Sequence, residues 1–155
     1  RSFDTHIYDA GFAACLRDAP SPQLEAGLGA TRAALSALRA WGDTHGVPVL
    51  VAALPAEQQV SAAARATWIG RFGLDAAEFD FTLPNQRLAS LAAEAGLPCF
   101  DLTNGFAART AQGDDLHLHG DNHWNAAGHR LAASLLLEPC LELLVPPARH
   151  RAGSH

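Results

Sequence analysis

The stretch from Asp114 to His129 concentrates the polar chemistry of this chain. It holds four of its eight histidines, His117, His119, His123 and His129, together with Asp114, Asp115 and Asp121. In an extended segment, residues two apart point the same way, so the Asp121 carboxylate can reach the Nδ1 of His123. Such a contact fixes the imidazole tautomer and stabilises the imidazolium, which leaves Nε2 as a general base. The missing partner is a nucleophile, ordinarily a serine hydroxyl. An isolated D-x-H is equally the pattern of a surface histidine beside a surface aspartate. A second chemistry is also available, because His117, His119, Asp121 and His123 alternate along the chain. Imidazoles two apart on one strand can share a Zn²⁺, with the carboxylate on a second ion.

The other polar residues have ordinary roles at this level. His117 and His119 alternate with Leu116 and Leu118, as on the solvent side of a half-buried strand. His129 falls in the first turn of a helix, where a structural hydrogen bond suffices. Trp124 packs over that helix start and is also placed to line a pocket. Asn104 follows a predicted strand, so it faces either a cleft or only a turn.

The composition sets limits on the function. All 11 basic residues are arginine, which removes the phosphate-loop lysine, the pyridoxal Schiff base and any side-chain amine nucleophile. A formal charge of −5 without a basic cluster argues against a nucleic-acid partner. No apolar run approaches the roughly 20 residues of a membrane helix. The three cysteines, Cys15, Cys99 and Cys140, show no metal spacing and allow at most one disulfide. Methionine and lysine are both absent while Ala, Arg, Gly and Leu abound, as in a GC-rich bacterial gene. A chain starting at Arg1 without methionine suggests a processed or excised start.

The elements that must position these residues alternate. Residues 1–22 give no clear pattern and end in Pro20-Ser21-Pro22. A helix is predicted over Gln23 to Thr44, with Leu24, Leu28, Leu35, Leu38 and Trp41 at helical spacing and His45-Gly46 closing it. Val47 to Leu54 reads as a strand buried on both faces. A weaker helix covers 57–71 and a loop covers Asp80 to Pro84. A helix from Asn85 to Ala95 carries Leu88 and Leu91, with Gly96 past its end. Leu97 to Leu102 is a second buried strand, with Cys99 in it as a small hydrophobe. Residues 103–124 read as polar loop. A last helix begins at the N-cap Asn125 and carries Leu131, Leu135 and Leu136 as far as Pro139. The order predicts an α/β fold with parallel strands, one domain over residues 1–145 and a frayed tail over 146–155. Two strands make no stable open sheet alone, so the pattern reads as part of a larger one.

The block "DNHWNAAGHRLAA" resembles the last motif of the SGNH (GDSL-like) hydrolases and acyltransferases. In that family an Asp and a His precede an Asn-capped helix with a Gly-His pair in its first turn. "VPVLVAALPAEQQV" resembles the strand and loop of the bacterial branch ending in a Pro-x-x-x-Gln-Val type sequence. "LPNQRLASLAAEAGLPCFDLTNGF" resembles the helix and strand leading to the catalytic loop. The likeness covers about residues 24–137. The family's familiar spacing is D-x-x-H; the D-x-H-W-N found here is similar to the variant in secreted polysaccharide O-acetylesterases and acetyltransferases. His117-x-His119-x-Asp121-x-His123 also comes within one residue of the H-x-H-x-D-H signature of the metallo-β-lactamase fold. The extra Asn122 breaks that register, and the strand-rich first layer of that fold is missing.

The SGNH resemblance implies a flavodoxin-like three-layer α/β/α sandwich, of which this chain carries the C-terminal part. It implies acyl-ester hydrolysis or acyl transfer through a serine acyl-enzyme, with His123 as base, Asp121 as its orienting acid, and no metal or cofactor. The substrate would be a small or carbohydrate acyl ester, and the compartment periplasmic or secreted. The family's Gly-Asp-Ser block and oxyanion blocks do not occur, and Ser2, Ser21, Ser36, Ser61, Ser90, Ser134 and Ser154 all lack that context. The expectation is therefore that an N-terminal half of the same protein supplies them and that the chain alone is inactive. The alternatives are the metal-dependent hydrolase above and a non-catalytic α/β module.

Overall fold

The computed structural model describes residues 11–118 and 123–145 of the 155. Its centre is a pair of short parallel strands, β1 (Val51–Ala53) and β2 (Cys99–Asp101), in the register Val51↔Cys99, Ala52↔Phe100, Ala53↔Asp101. The apolar runs predicted from Val47 and Leu97 both form strands. Each is ordered into the sheet over only three residues, since only these find ladder partners among the described residues.

Helices cover both faces of this pair. On one side α1 (Pro22–His45) and α4 (Leu83–Glu94) enclose Leu35, Leu91, Ala92 and Leu97, against which Val51 and Cys99 pack. On the other, α5 (Thr103–Ala111) and α6 (Ala126–Leu144) enclose Leu102, Phe106, Leu116 and Ala132, against which Phe100 packs. Alternate strand residues thus serve opposite layers, as the period of two requires. This is the α/β arrangement with helices on both faces that the alternation predicted.

Local chemistry sets the helix ends. Ser21 caps α1 by accepting from the Leu24 N–H at 3.2 Å, and Gly46 closes it at φ 65°. Of the predicted stripe on α1, Leu35 is buried while Leu38 and Trp41 stay half exposed, so the stripe extends beyond what packs on it. The weak helix over 57–71 is two helices, α2 (Glu57–Val60) and α3 (Ala62–Phe72), because Ser61 turns extended and caps the second. Arg65 donates to the Gln58 and Gln59 carbonyls and lies over the Phe81 ring, fixing the corner between them.

Three expectations are corrected. Residues 103–124 are not all loop, because α5 occupies Thr103–Ala111. Its one deeply buried apolar side chain, Phe106, gives too short a pattern to read as a helix. The last helix does not end at Pro139 but runs through it to Leu144. Proline's φ suits a helix, and what it forfeits is one N–H bond to the preceding turn. Asp80 to Pro84 is loop only in part, since α4 begins at Leu83 with Pro84 in its first turn.

Residues 1–22 carry no clear pattern in the sequence, yet residues 11–15 are helical and Leu16 is buried in an aromatic cluster with Trp68, Phe79 and Phe81. Arg87 of α4 donates to the carbonyls of Cys15, Arg17 and Asp18 and ties this segment down. Residues 1–10 and the tail after Val145 lie outside the described residues.

Candidate active site

The two strands end together, and the segments that follow them are bound to each other. The Leu102 N–H donates to the Ala53 carbonyl at 3.1 Å, joining the strand ends. Beyond them lies a polar network that the sequence did not reveal. The Asp101 Oδ1 accepts from the Thr103 N–H at 2.9 Å, the Thr103 hydroxyl at 2.6 Å and the Asn85 amide at 2.8 Å. Gln59, on α2, donates to the Asn85 Oδ1 at 3.3 Å and to the Phe81 carbonyl, while its own Oε1 accepts from the Ala56 N–H. Asn85 and Gln59 are buried, so a single polar cluster locks the loop after β1, the start of α4 and the start of α5.

Residues 116–118 and 123–125 dock on this platform. Chain 116–118 pairs antiparallel with 123–125 through the Leu118 N–H to the His123 carbonyl at 2.8 Å and the Asn125 N–H to the Leu116 carbonyl at 3.0 Å. His117 and Trp124 form the non-hydrogen-bonded pair between those bonds, with side chains on one face. That face is inward. Trp124 packs on Phe106 with centroids 4.6 Å apart and donates its indole N–H to the Pro55 carbonyl at 3.4 Å. Leu118 and His123 form the next pair, on the outward face, and both are exposed.

Asn125 finishes the arrangement. Its Oδ1 accepts from the Ala127 and Gly128 N–H groups, capping α6, and its Nδ2 donates to the carbonyls of Asp115 and His117. Gly128 is required beneath it, since a Cβ there would collide with the Leu116 carbonyl oxygen. His123 is thus held on an outward strand face, next in the chain to a partly buried indole and the helix cap that follows it.

His117 reverses its expectation. It is not on the solvent side but 4% exposed, with its ring 6.1 Å from that of Phe106, while Leu118 takes the outward position. The pairing register chose the face: the partner of His117 is the partly buried, inward-facing Trp124. Burial pulls the His117 pKa below the ordinary histidine value, and the Pro55 carbonyl, Glu57 and Asp115 oppose this. Its Nε2 is buried with no hydrogen-bond partner.

Of the other predicted residues, Asp121 and His119 lie outside the described residues. Asn104 is exposed in the first turn of α5, and Trp124 packs over the start of α6 as expected. His129 meets the Trp124 ring edge-on at 5.7 Å. The metal alternative needs His117 and His123 on one ion, whereas the register places them on opposite faces. Among the described residues no group of three or more His, Cys, Asp or Glu side chains is disposed to hold a metal. A cleft of about 210 Å³ opens between α2 and residues 113–117, lined by Glu57, Asp115 and His117 among others, on the side away from the outward face of His123.

Four described serines have structural work. Ser21 and Ser61 cap helices, and Ser90 and Ser134 donate to carbonyls of their own helices.

Comparison with known proteins gives one positive result. No curated protein and no solved structure matches the chain. The family model of the SGNH hydrolase-like domain of the acetyltransferase AlgX matches residues 16–148, nearly the whole chain. A parallel strand pair between helical layers agrees with that fold, and membership supports a hydrolase- or acyltransferase-like activity in broad terms. The chain belongs to the SGNH hydrolase-like family typified by the domain of acetyltransferase AlgX.

Proposed function

We propose that this chain supplies the base-and-acid part of a serine acyl-transfer centre acting on an acyl ester, with acetyl the favoured group. His123 is the general base, and Asp121 orients its ring and stabilises the imidazolium. The observation that carries the reading is the placement of His123. It projects from the outward face of a paired segment docked beyond the carboxyl ends of two parallel strands, where open α/β sheets bind ligands.

A serine hydroxyl attacks the acyl carbonyl while His123 takes its proton, the alcohol leaves with that proton, and an acyl-enzyme remains. Water or an acceptor hydroxyl then enters, deprotonated by the same imidazole. The nucleophile and the oxyanion donors come from outside these 155 residues, in keeping with the structural roles of Ser21, Ser61, Ser90 and Ser134. The substrate class is a small or carbohydrate acyl ester, with Trp124 and Asn104 at the edge of its site. A periplasmic or secreted setting fits such a substrate.

The test is acetyl-ester turnover by the complete protein in two variants. Asp121→Asn should lower kcat by about 10⁴-fold, the scale of the corresponding change in serine proteases, and Asp115→Asn should leave it near wild type. The opposite pattern would place the acid at Asp115 and remove the D-x-H assignment.

A further inference from the structure

We propose that the free edge of β1, with the flanks of α1 and α6 beside it, seats a strand-and-helix segment of the same protein from outside these 155 residues. The strand edge comes first. The Val51 N–H donates to the Pro98 carbonyl and the Ala53 carbonyl accepts from the Leu102 N–H, so both residues turn to β2. Backbone direction alternates along a strand, so the N–H and carbonyl of Ala52 point to the other edge, where no described strand pairs with them.

Both helical layers are unfinished at that same edge. On α1, Arg32 and Arg39 reach across to Glu94 and to the Gly96 carbonyl, on the α4 side. At 3.6 residues per turn Leu38 and Trp41 fall on the opposite flank, and both are about half exposed. On α6, Leu135 meets Gly105 of α5, whereas Leu137, Cys140 and Leu144 turn away from α5 and are exposed. A helix apolar on both faces is built to be covered on both. The two flanks meet where the end of α6 and the turn from α1 into β1 enclose a cleft of about 530 Å³, lined by Val47, Pro48, Leu143 and Leu144 among others.

The occupant follows from what is incomplete. An open edge between two helical layers calls for a further parallel strand carrying helices to both faces, which a membrane surface or a lone extended peptide does not supply. Laid parallel to β1, that strand ends beside Ala53, at the end of the sheet where residues 116–118 and 123–125 dock. A hydroxyl at its carboxyl end thus arrives on the side of the molecule that holds His123. That the occupant comes from the same protein rests on the reading above, in which the nucleophile lies outside these residues; the open edge itself does not.

Cys140 reports on this surface without turnover. In the complete protein, native Cys140 should react with N-ethylmaleimide about tenfold or more slowly than after unfolding in urea, with peptide mass spectrometry separating it from Cys15 and Cys99. The Ala52 amide should exchange about a hundredfold or more slowly than an unstructured amide. A native Cys140 that labels at its unfolded rate would overturn the proposal. So would a protected Cys140 beside a freely exchanging Ala52 amide, because the strand edge would then be unpaired. Protection of both that disappears on dilution, as a dimer falls to monomer on a sizing column, would assign the surface to a second copy and overturn it too. Turnover by His123→Ala is a separate readout. A protected surface with undiminished turnover would remove the base assignment and keep the interface, and an accessible surface with lost turnover would do the reverse.

Discussion

Gly105 of α5 and Leu135 of α6 touch so closely that a Cβ on Gly105 would sit 2.5 Å from the Leu135 Cδ1. The contact lies in the same layer as Phe106, on which Trp124 packs next to His123. Leu135 can turn its methyls aside and Ala is the better helix former, so Gly105→Ala should destabilise the chain by no more than about 1 kcal/mol. Leu135→Ala on the same background should recover part of that loss. Denaturant titration of the two single variants and the double variant checks the coupling.

Asn125 serves two backbones at once, capping α6 and holding the 115–117 segment. Asn125→Ala should cost about 1–2 kcal/mol for the cap alone, with more from the two carbonyls it releases. Asn125→Asp keeps the acceptor but not the amide donor, so it should restore α6 while leaving the Leu118 amide less protected. Comparing chemical denaturation with site-resolved exchange separates the two roles.

Asn85 links Gln59 to Asp101 and Thr103 inside the body of the domain. Asn85→Ala should destabilise by about 1–3 kcal/mol, because it strands buried polar partners as well as losing bonds. Asn85→Asp should do no better, since it sets a second carboxylate against Asp101. Thermal melts of both variants at neutral pH test this, and equal stability of Asn85→Asp and wild type would refute the network's role.

Much of this was legible in the sequence because the informative features are local. The Asn125 cap, the Gly96 turn and the Leu88–Leu91 face each rest on a few neighbouring residues, and all three form. What escaped depends on pairing across the chain. His117 was read as outward from its alternation with leucines, but alternation only says that one face is buried and not which. Trp124, its partner, decided that. The network of Gln59, Asn85, Asp101 and Thr103 draws on residues up to 44 positions apart, from Gln59 to Thr103, and leaves no periodic trace. The same holds for α5, whose packing is concentrated in Phe106 and in the bare backbone of Gly105.

The register that separates His117 from His123 makes a statement about metal. Activity of the complete protein should survive EDTA, and elemental analysis should find no stoichiometric zinc. About one zinc per chain, lost on changing His117 or His119, would revive the metal-dependent alternative.

The most direct measurement is kcat for acetyl-ester turnover by the complete protein carrying His123→Ala, with circular dichroism to establish that the fold persists. Base catalysis by His123 predicts a loss of several orders of magnitude, with the His123→Ala, Asp121→Asn double variant little worse than the single, because such groups act as a unit. His117→Phe at pH 7.5 should stay close to wild type. A folded His123→Ala protein with near wild-type kcat would contradict the assignment of His123 as the base.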